Sequence, residues 1–230
     1  VLSRDLDISE LDTKNVLASL AWVKKVNKVE HSYKGKVLLK PQSLKDKGRM
    51  TLVLDLDETL VHSAIGRSKL PDYEFKFTMS YNYNDFELFV KKRPGVIEFL
   101  KKASKLFEIV IFTASQKIYA DKVLDFIDPT RKWTRQRLFQ DSCVNVDNNK
   151  FVKDLRVLGR DLKRVVIVDN AVDAFSFHLD NGIPIKSWFG ESKDEELVKL
   201  FDFLVPLSQM DDVRPYLSQK FKLKERIGLS

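Results

Sequence analysis

Two short runs constrain this chain most: Thr51-Leu52-Val53-Leu54 and Val165-Val166-Ile167-Val168. Neither alternates with polar residues, and each stops at an aspartate, Asp55 and Asp169. A strand without a polar face is buried on both sides, and a sheet of such strands needs helices over it. Apolar spacing predicts those helices over residues 94–106, 116–127, 194–203 and 213–219, with further strands over 109–113 and 184–188. Alternation of strands with helices places the chain in the α/β class, as a Rossmann-like parallel sheet flanked by helices. With 230 residues, 43% hydrophobic and 32% charged, the chain can bury one large core, which excludes disorder, collagen and coiled coil. The single Cys143 excludes a disulfide scaffold and favours a reducing compartment, nuclear or cytoplasmic. No stretch approaches the roughly 18 apolar residues of a spanning helix. The first residues lack a signal-peptide pattern, though a chain that does not open on Met leaves room for an upstream anchor.

The charge of +7 is unevenly placed: residues 1–49 carry +5 and residues 214–230 carry +4, leaving −2 for the centre. These basic ends read as solvated surface, with steering toward acidic partners as the second reading. Three regions follow: a helical, basic extension over 1–49, a core over 50–217, and a basic tail over 218–230. In the extension a helix is expected over residues 9–26, capped by Ser9, and a short strand near residues 37–39. Inside the core, residues 64–92 break the rhythm. Tyr73 to Met79 and Phe86 to Val90 alternate with period two around a turn at 82–85, which predicts a small inserted antiparallel hairpin at the C-terminal edge of the sheet. No large helical cap is encoded there, so the site at that edge stays open to a peptide chain.

Polar groups collect at the C-terminal ends of the strands, where open parallel sheets assemble sites. They are Asp55 with Asp57, Thr113, Asp169 with Asn170, and Lys153 on the approach to the third strand. In extended chain Asp55 and Asp57 point the same way, about 7 Å apart, which accommodates a phosphoryl group. Carboxylates this close demand a cation, and oxygen donors favour Mg²⁺ over zinc. Asp55 at the strand tip can act as nucleophile, forming an aspartyl-phosphate. Asp57 can protonate the leaving oxygen and later take a proton from water. Thr113 and Lys153 can donate to the equatorial phosphate oxygens, and Asn170 can supply a metal oxygen. Asp169 can hold either the metal's water or the amine of Lys153.

The motifs Leu54-Asp55-Leu56-Asp57-Glu58-Thr59-Leu60-Val61-His62-Ser63, Lys92-Arg93-Pro94-Gly95, Ile111-Phe112-Thr113-Ala114-Ser115, Val152-Lys153-Asp154-Leu155 and Val168-Asp169-Asn170 resemble the FCP/SCP-type phosphatases. These are the small carboxy-terminal-domain phosphatases of the haloacid dehalogenase superfamily. The resemblance runs from about residue 50 to 217. It implies the haloacid dehalogenase fold and a Mg²⁺-dependent protein phosphatase acting on phosphoserine or phosphothreonine. The metal would be held by Asp55, the Asp57 carbonyl and Asn170, with Asp169 beside it. Thr59 and Ser115 within the motifs, and Tyr119 at a matching pocket position, are the residues it sets against substrate. The best-known substrate of that family is the tail of RNA polymerase II.

Two positions depart from the pattern. Gln140 stands where an Arg often contacts substrate phosphate, and Ile65 where an aromatic residue helps form a proline pocket. Both leave the catalytic residues intact and loosen the assignment to the polymerase tail. A phosphoprotein substrate, a monomeric protein and no direct nucleic-acid partner are therefore expected. The alternatives are a phosphatase of small metabolites and a catalytically weak scaffold or import-receptor-like relative. His62 reads as a structural hydrogen-bonding residue, Cys143 as a small buried apolar group, Trp188 and Phe189 as packing, and His178 as a surface or helix-end residue.

Overall fold

The computed structural model of the chain describes residues 22, 23, 26, 36–81, 83–146 and 150–226. Five parallel strands form the central sheet: β1 (Met50–Leu54), β5 (Phe107–Phe112), β6 (Gln136–Leu138), β9 (Val165–Asp169) and β10 (Gly182–Pro184), in the order β10-β9-β1-β5-β6. Every residue of β1, β5 and β9 is buried, as unbroken apolar runs require. Leu54 of β1 pairs with both Ile111 and Val168, so the three strands end level and deliver their next residues to one edge.

Helix α1 (Val96–Leu106) buries Val96, Phe99, Leu100 and Ala103, the i, i+3, i+4, i+7 stripe of one helical face. It starts at Gly95, whose φ of 79° lies in the left-handed region that glycine adopts without strain. It packs on β5 and on α3 (Glu196–Leu207). Helix α2 (Lys117–Ile127) follows β5, and α4 (Arg214–Phe221) and α5 (Leu223–Arg226) lie against the 3-10 stretch Val172–Asn181, which itself packs on β9 and β10. The helix expected to end at Phe203 continues to Leu207 through Pro206. Leu204 and Leu207 are fully buried, and that packing outweighs the one backbone bond proline removes near the helix end.

Three further expectations need correction, and one hairpin comes in addition. The inserted hairpin, β3 (Phe75–Tyr81) and β4 (Asn84–Lys92), gains a third strand, β2 (Val61–Ile65), in the order β2-β4-β3, so the antiparallel unit starts at Val61 rather than residue 64. The strand predicted over 184–188 occupies Gly182–Pro184 instead. Beyond Pro184 the chain gives Ile185 N–H to Asp169 O (3.1 Å), then turns to Glu58, whose carbonyl accepts from Trp188 N (2.9 Å). No strand forms at residues 37–39, because the segment faces a 3-10 turn and makes the single ladder-like bond Leu38 N to Val157 O (2.8 Å). A short hairpin, β7 (Val144–Val146) with β8 (Lys150–Val152), leads into Lys153 and was not anticipated.

The helix expected over residues 9–26 falls mostly outside the described residues. Trp22, Val23 and Val26 are helical, and Val23 and Val26 are buried. The connector after it is stitched to the rear of the sheet, with Leu39 buried against the core. Gln42 Nε2 donates to Glu108 Oε2 (3.0 Å), and Arg160 Nη2 donates to Lys40 O and to Glu108 Oε1 (both 2.8 Å). Thr51 Oγ1 completes the shell around Glu108 at 2.8 Å.

Candidate active site

The first strand continues as backbone for one more residue, since Asp55 N donates to Val168 O (3.0 Å). The chain then folds sharply. Glu58 sits in the left-handed region at φ 56°, its N–H bonded to Val61 O (2.8 Å), while Leu60 N and Val61 N both return to Leu56 O. This turn holds Asp55 and Asp57 at the mouth of the sheet.

Lys153 is buried and bridges two carboxylates, Asp55 Oδ1 at 2.5 Å and Asp169 Oδ2 at 2.6 Å. Burial works against its charge, but Asp169 and Asp55 overcome it and hold its pKa above the ordinary lysine value. Burial and Asp55 raise the Asp169 pKa against the opposing pull of Lys153, and its second oxygen accepts from Ala171 N (2.9 Å). Asp169 thus holds the amine of Lys153.

Asp57 is held from the other side. Ser115 Oγ donates to its Oδ2 (2.6 Å), Tyr119 Oη donates to its Oδ1, and Ser63 Oγ donates to Tyr119 Oη (2.6 Å). Burial and then the neighbouring Asp55 raise the Asp57 pKa, opposed by Ser115, Tyr119 and Lys153. Burial and Asp57 raise that of Tyr119, so the phenol stays a donor. Glu58 is pushed up to about 7 by burial and by the charges of Asp57 and Asp55.

Thr113 follows β5 and is buried; its hydroxyl oxygen accepts from Ser115 N (3.0 Å), which leaves its proton for another acceptor. Gln140 braces this loop, its amide donating to Ala114 O (3.0 Å) and its backbone N–H to Ser115 O (3.1 Å).

The donor set suits a hard cation. Thr59 Oγ1 has one proton and faces two acceptors, Asp55 Oδ2 at 3.1 Å and Asn170 Oδ1 at 3.3 Å, so one oxygen is always short of a donor. Asn170 Nδ2 is pinned on Ser187 Oγ (2.9 Å), which presents the amide oxygen inward. Three acidic side chains surround one ammonium, leaving negative charge that a cation would balance. Among the described residues no group of three His, Cys, Asp or Glu side chains is spaced to hold a metal.

The structure therefore brings Asp55, Asp57, Thr59, Thr113, Ser115, Tyr119, Lys153, Asp169 and Asn170 to one edge. Sequence reasoning missed Ser63, Ser187 and the role of Arg93, whose guanidinium reaches Thr59 O (3.1 Å) and the Asp194 carboxylate. The quoted motifs contain Ser63 and Arg93 but carry no signal of whom they contact; Ser187 had none. His62 makes a hydrogen bond of the kind expected of it, its Nδ1 lying 3.3 Å from Glu58 Oε1. Cys143 is partly buried, and burial pushes its thiol up to about 12, which leaves it inert. Of the two readings of His178 the helix-end one holds: it lies in the last turn of Val172–Asn181, with its ring 2.9 Å from Asp154 Oδ1. One minor expectation fails, since Phe189 is 60% exposed, although Trp188 is buried.

Residues 50–214 match the NLI interacting factor-like phosphatase family. CTD small phosphatase-like protein 2 of Dictyostelium discoideum is 51% identical over 180 residues, which cover 78% of this chain and 31% of that protein. CTD small phosphatase-like protein 3 of Caenorhabditis elegans is 46% identical over 178 residues, 77% of this chain and 61% of that protein. Carboxy-terminal domain RNA polymerase II polypeptide A small phosphatase 1 of Homo sapiens is 44% identical over 184 residues, 79% and 68% respectively. The chain thus spans about a third to two thirds of these relatives. The solved structure of Fcp1, an essential RNA polymerase II CTD phosphatase, superposes with a TM-score of 0.54 at 25% identity, covering 70% of this chain and 51% of that one. The chain belongs to the NLI interacting factor-like phosphatase family, with the α/β phosphatase fold its motifs predict.

Proposed function

We propose that this chain is a Mg²⁺-dependent protein serine/threonine phosphatase that works through an aspartyl-phosphate. Its substrate is a phosphoprotein, with the RNA polymerase II tail as the first candidate on the printed names of its relatives. The observation that carries the reading is the pairing at one strand edge of a lysine-bound carboxylate, Asp55, with a second carboxyl, Asp57, whose pKa is raised.

Asp55 attacks phosphorus, and the bond from phosphorus to the seryl or threonyl oxygen breaks. Asp57, oriented by Ser115 and Tyr119, gives that oxygen its proton. Water then loses a proton to Asp57 and attacks phosphorus, which frees inorganic phosphate and restores the Asp55 carboxylate. Thr113 and Lys153 donate to the equatorial oxygens, and Asp169 keeps Lys153 in place. Asp55, the Asp57 carbonyl and Asn170 would hold Mg²⁺, which when bound offsets the negative charge between phosphate and carboxylates. The open edge, flanked by a three-stranded sheet rather than a large cap, favours a peptide over a small metabolite. The free thiol suits a nuclear or cytoplasmic setting. We take the working unit to be a monomer without direct nucleic-acid contact.

A phosphopeptide panel with and without Mg²⁺ tests the reading. Wild type should release phosphate from phosphoserine peptides only with the metal. Asp55→Asn should lose turnover by at least about 10³-fold in a variant that still melts cooperatively as a folded protein. Retained turnover in Asp55→Asn, or a preference for sugar phosphates, would refute it.

A further inference from the structure

The free edge of β2 begins where the catalytic turn ends. Arg93 N donates to Leu60 O and Gly66 N to Glu87 O, the two ends of the β2–β4 ladder in one register. In an antiparallel pair the bonded residues alternate, so Leu60, His62, Ala64 and Gly66 turn their N–H and C=O toward β4. Val61, Ser63 and Ile65 turn theirs the other way. Val61 confirms the direction, because its N–H and C=O reach Leu56 O and Glu58 N in the catalytic turn, and Asp57 forms a parallel bridge with it. The next two outward pairs, on Ser63 and Ile65, have no hydrogen-bond partner among the described residues.

Those two pairs form a rail. Successive outward residues are about 7 Å apart, so the open positions lie roughly 7 and 14 Å beyond the bridge that carries Asp57. The strand is short, but Val61-His62-Ser63-Ala64-Ile65 holds neither the Lys nor the Pro that blunts exposed edges, and Ile65 is 54% exposed. Ser63 is also tied to the site through its side chain, by way of Tyr119 to Asp57.

We infer that the edge of β2 binds the main chain of the substrate, an extended phosphopeptide that adds as a further strand beside Ser63 and Ile65 while its phosphoserine lies at Asp55. This rests on the phosphoprotein reading above and deepens it. Main-chain bonds of this kind give affinity without reading side chains, so the edge accepts diverse sequences in extended form. It disfavours peptides with proline opposite Ser63 or Ile65, since proline offers no N–H.

The test uses the full chain and a phosphoserine peptide it turns over, N-methylated at one backbone nitrogen at a time. The expected result is a drop in kcat/KM of about tenfold at two positions two residues apart, with little change at the residue between. Ile65→Pro is the second arm. Its N–H points off the sheet, so the ladder survives, while kcat/KM for the peptide should fall several-fold in a variant shown folded by its melting curve. Equal tolerance of methylation at all positions overturns the inference and leaves the phosphatase reading standing, as does a folded Ile65→Pro with unchanged kcat/KM. An Ile65→Pro-sensitive dimer in sedimentation, without the alternating pattern, assigns the edge to a second copy and overturns it too. Failure to turn over any phosphopeptide removes both claims.

Discussion

Arg93 is the residue whose removal should tell most about how the catalytic turn is held. Its side chain is 0% exposed and forks onto Asp194, itself 10% exposed, with Nε–Oδ1 at 2.7 Å and Nη2–Oδ2 at 2.8 Å. The third nitrogen reaches Thr59 O at 3.1 Å, so one guanidinium joins the start of α1, the approach to α3 and the turn bearing Asp55 and Asp57. Arg93→Met fills similar volume but leaves the Asp194 carboxylate with the Glu196 N–H (3.2 Å) in place of the guanidinium, and takes the guanidinium from the Thr59 carbonyl. Breaking one side of a buried ion pair costs about 3–5 kcal/mol. In a domain of this size each kcal/mol lowers Tm by about 2–4 °C, so the expected shift is roughly 6–20 °C. Urea unfolding should show a lower midpoint with unchanged slope. Adding Asp194→Leu should return about 1–3 kcal/mol, because the stranded charge is gone. Turnover should also fall, since the Thr59 hydroxyl serves both Asp55 and Asn170. A Tm loss under about 2 °C in Arg93→Met, or strict additivity in the pair, would refute the clamp.

Other outcomes follow from the same contacts. Lys153→Met removes the ammonium between Asp55 and Asp169 and should lower kcat by about 100-fold or more, measured as phosphate release at saturating substrate. Tyr119→Phe removes one donor to Asp57 and should slow turnover about tenfold while unfolding free energy changes by about 1 kcal/mol, read by urea titration. Burial opposes the charge of Glu108, but Arg160, Gln42 and Thr51 overcome it and depress its pKa below 4.5. The unfolded state then binds the proton first as pH falls, so this stability is complete above about 4.5 and is lost below it. Glu108→Gln should therefore flatten the dependence of the urea midpoint on pH in that acid range; an unchanged slope would count against the assignment.

The strand-tip carboxylates were legible because an unbroken apolar run ending in Asp has few other uses, and the register that levels Leu54, Ile111 and Val168 follows from the sheet those runs demand. Where a residue's partner is remote, the sequence is silent. Glu108 sits second in β5, one residue before the predicted start of the strand; Arg160, far along the chain, together with Gln42 and Thr51, makes it a core residue. Strands of three residues such as β6, β7 and β8 are too short to show a period. Val61-His62-Ser63-Ala64-Ile65 is short too, and its membership in the inserted sheet is decided by the ladder with β4. Asp154 sits in a quoted motif, but nothing there indicated that it caps the turn after Lys153 and receives His178 and Arg156.

The stitched connector bears on where this protein can be cut. The family similarity starts at Met50, yet a fragment starting there would lose Gln42 from Glu108, the Lys40 carbonyl from Arg160, and the Leu39 side chain from the apolar interior. It would also bare Gly159, whose α-carbon is now shielded by Val37 so closely that an added methyl would fall 2.5 Å from its Cγ1. Recombinant fragments meant to stay soluble should retain the chain from at least residue 36, and trimming to Met50 should yield material that opens first at the back of the sheet, opposite the chemistry.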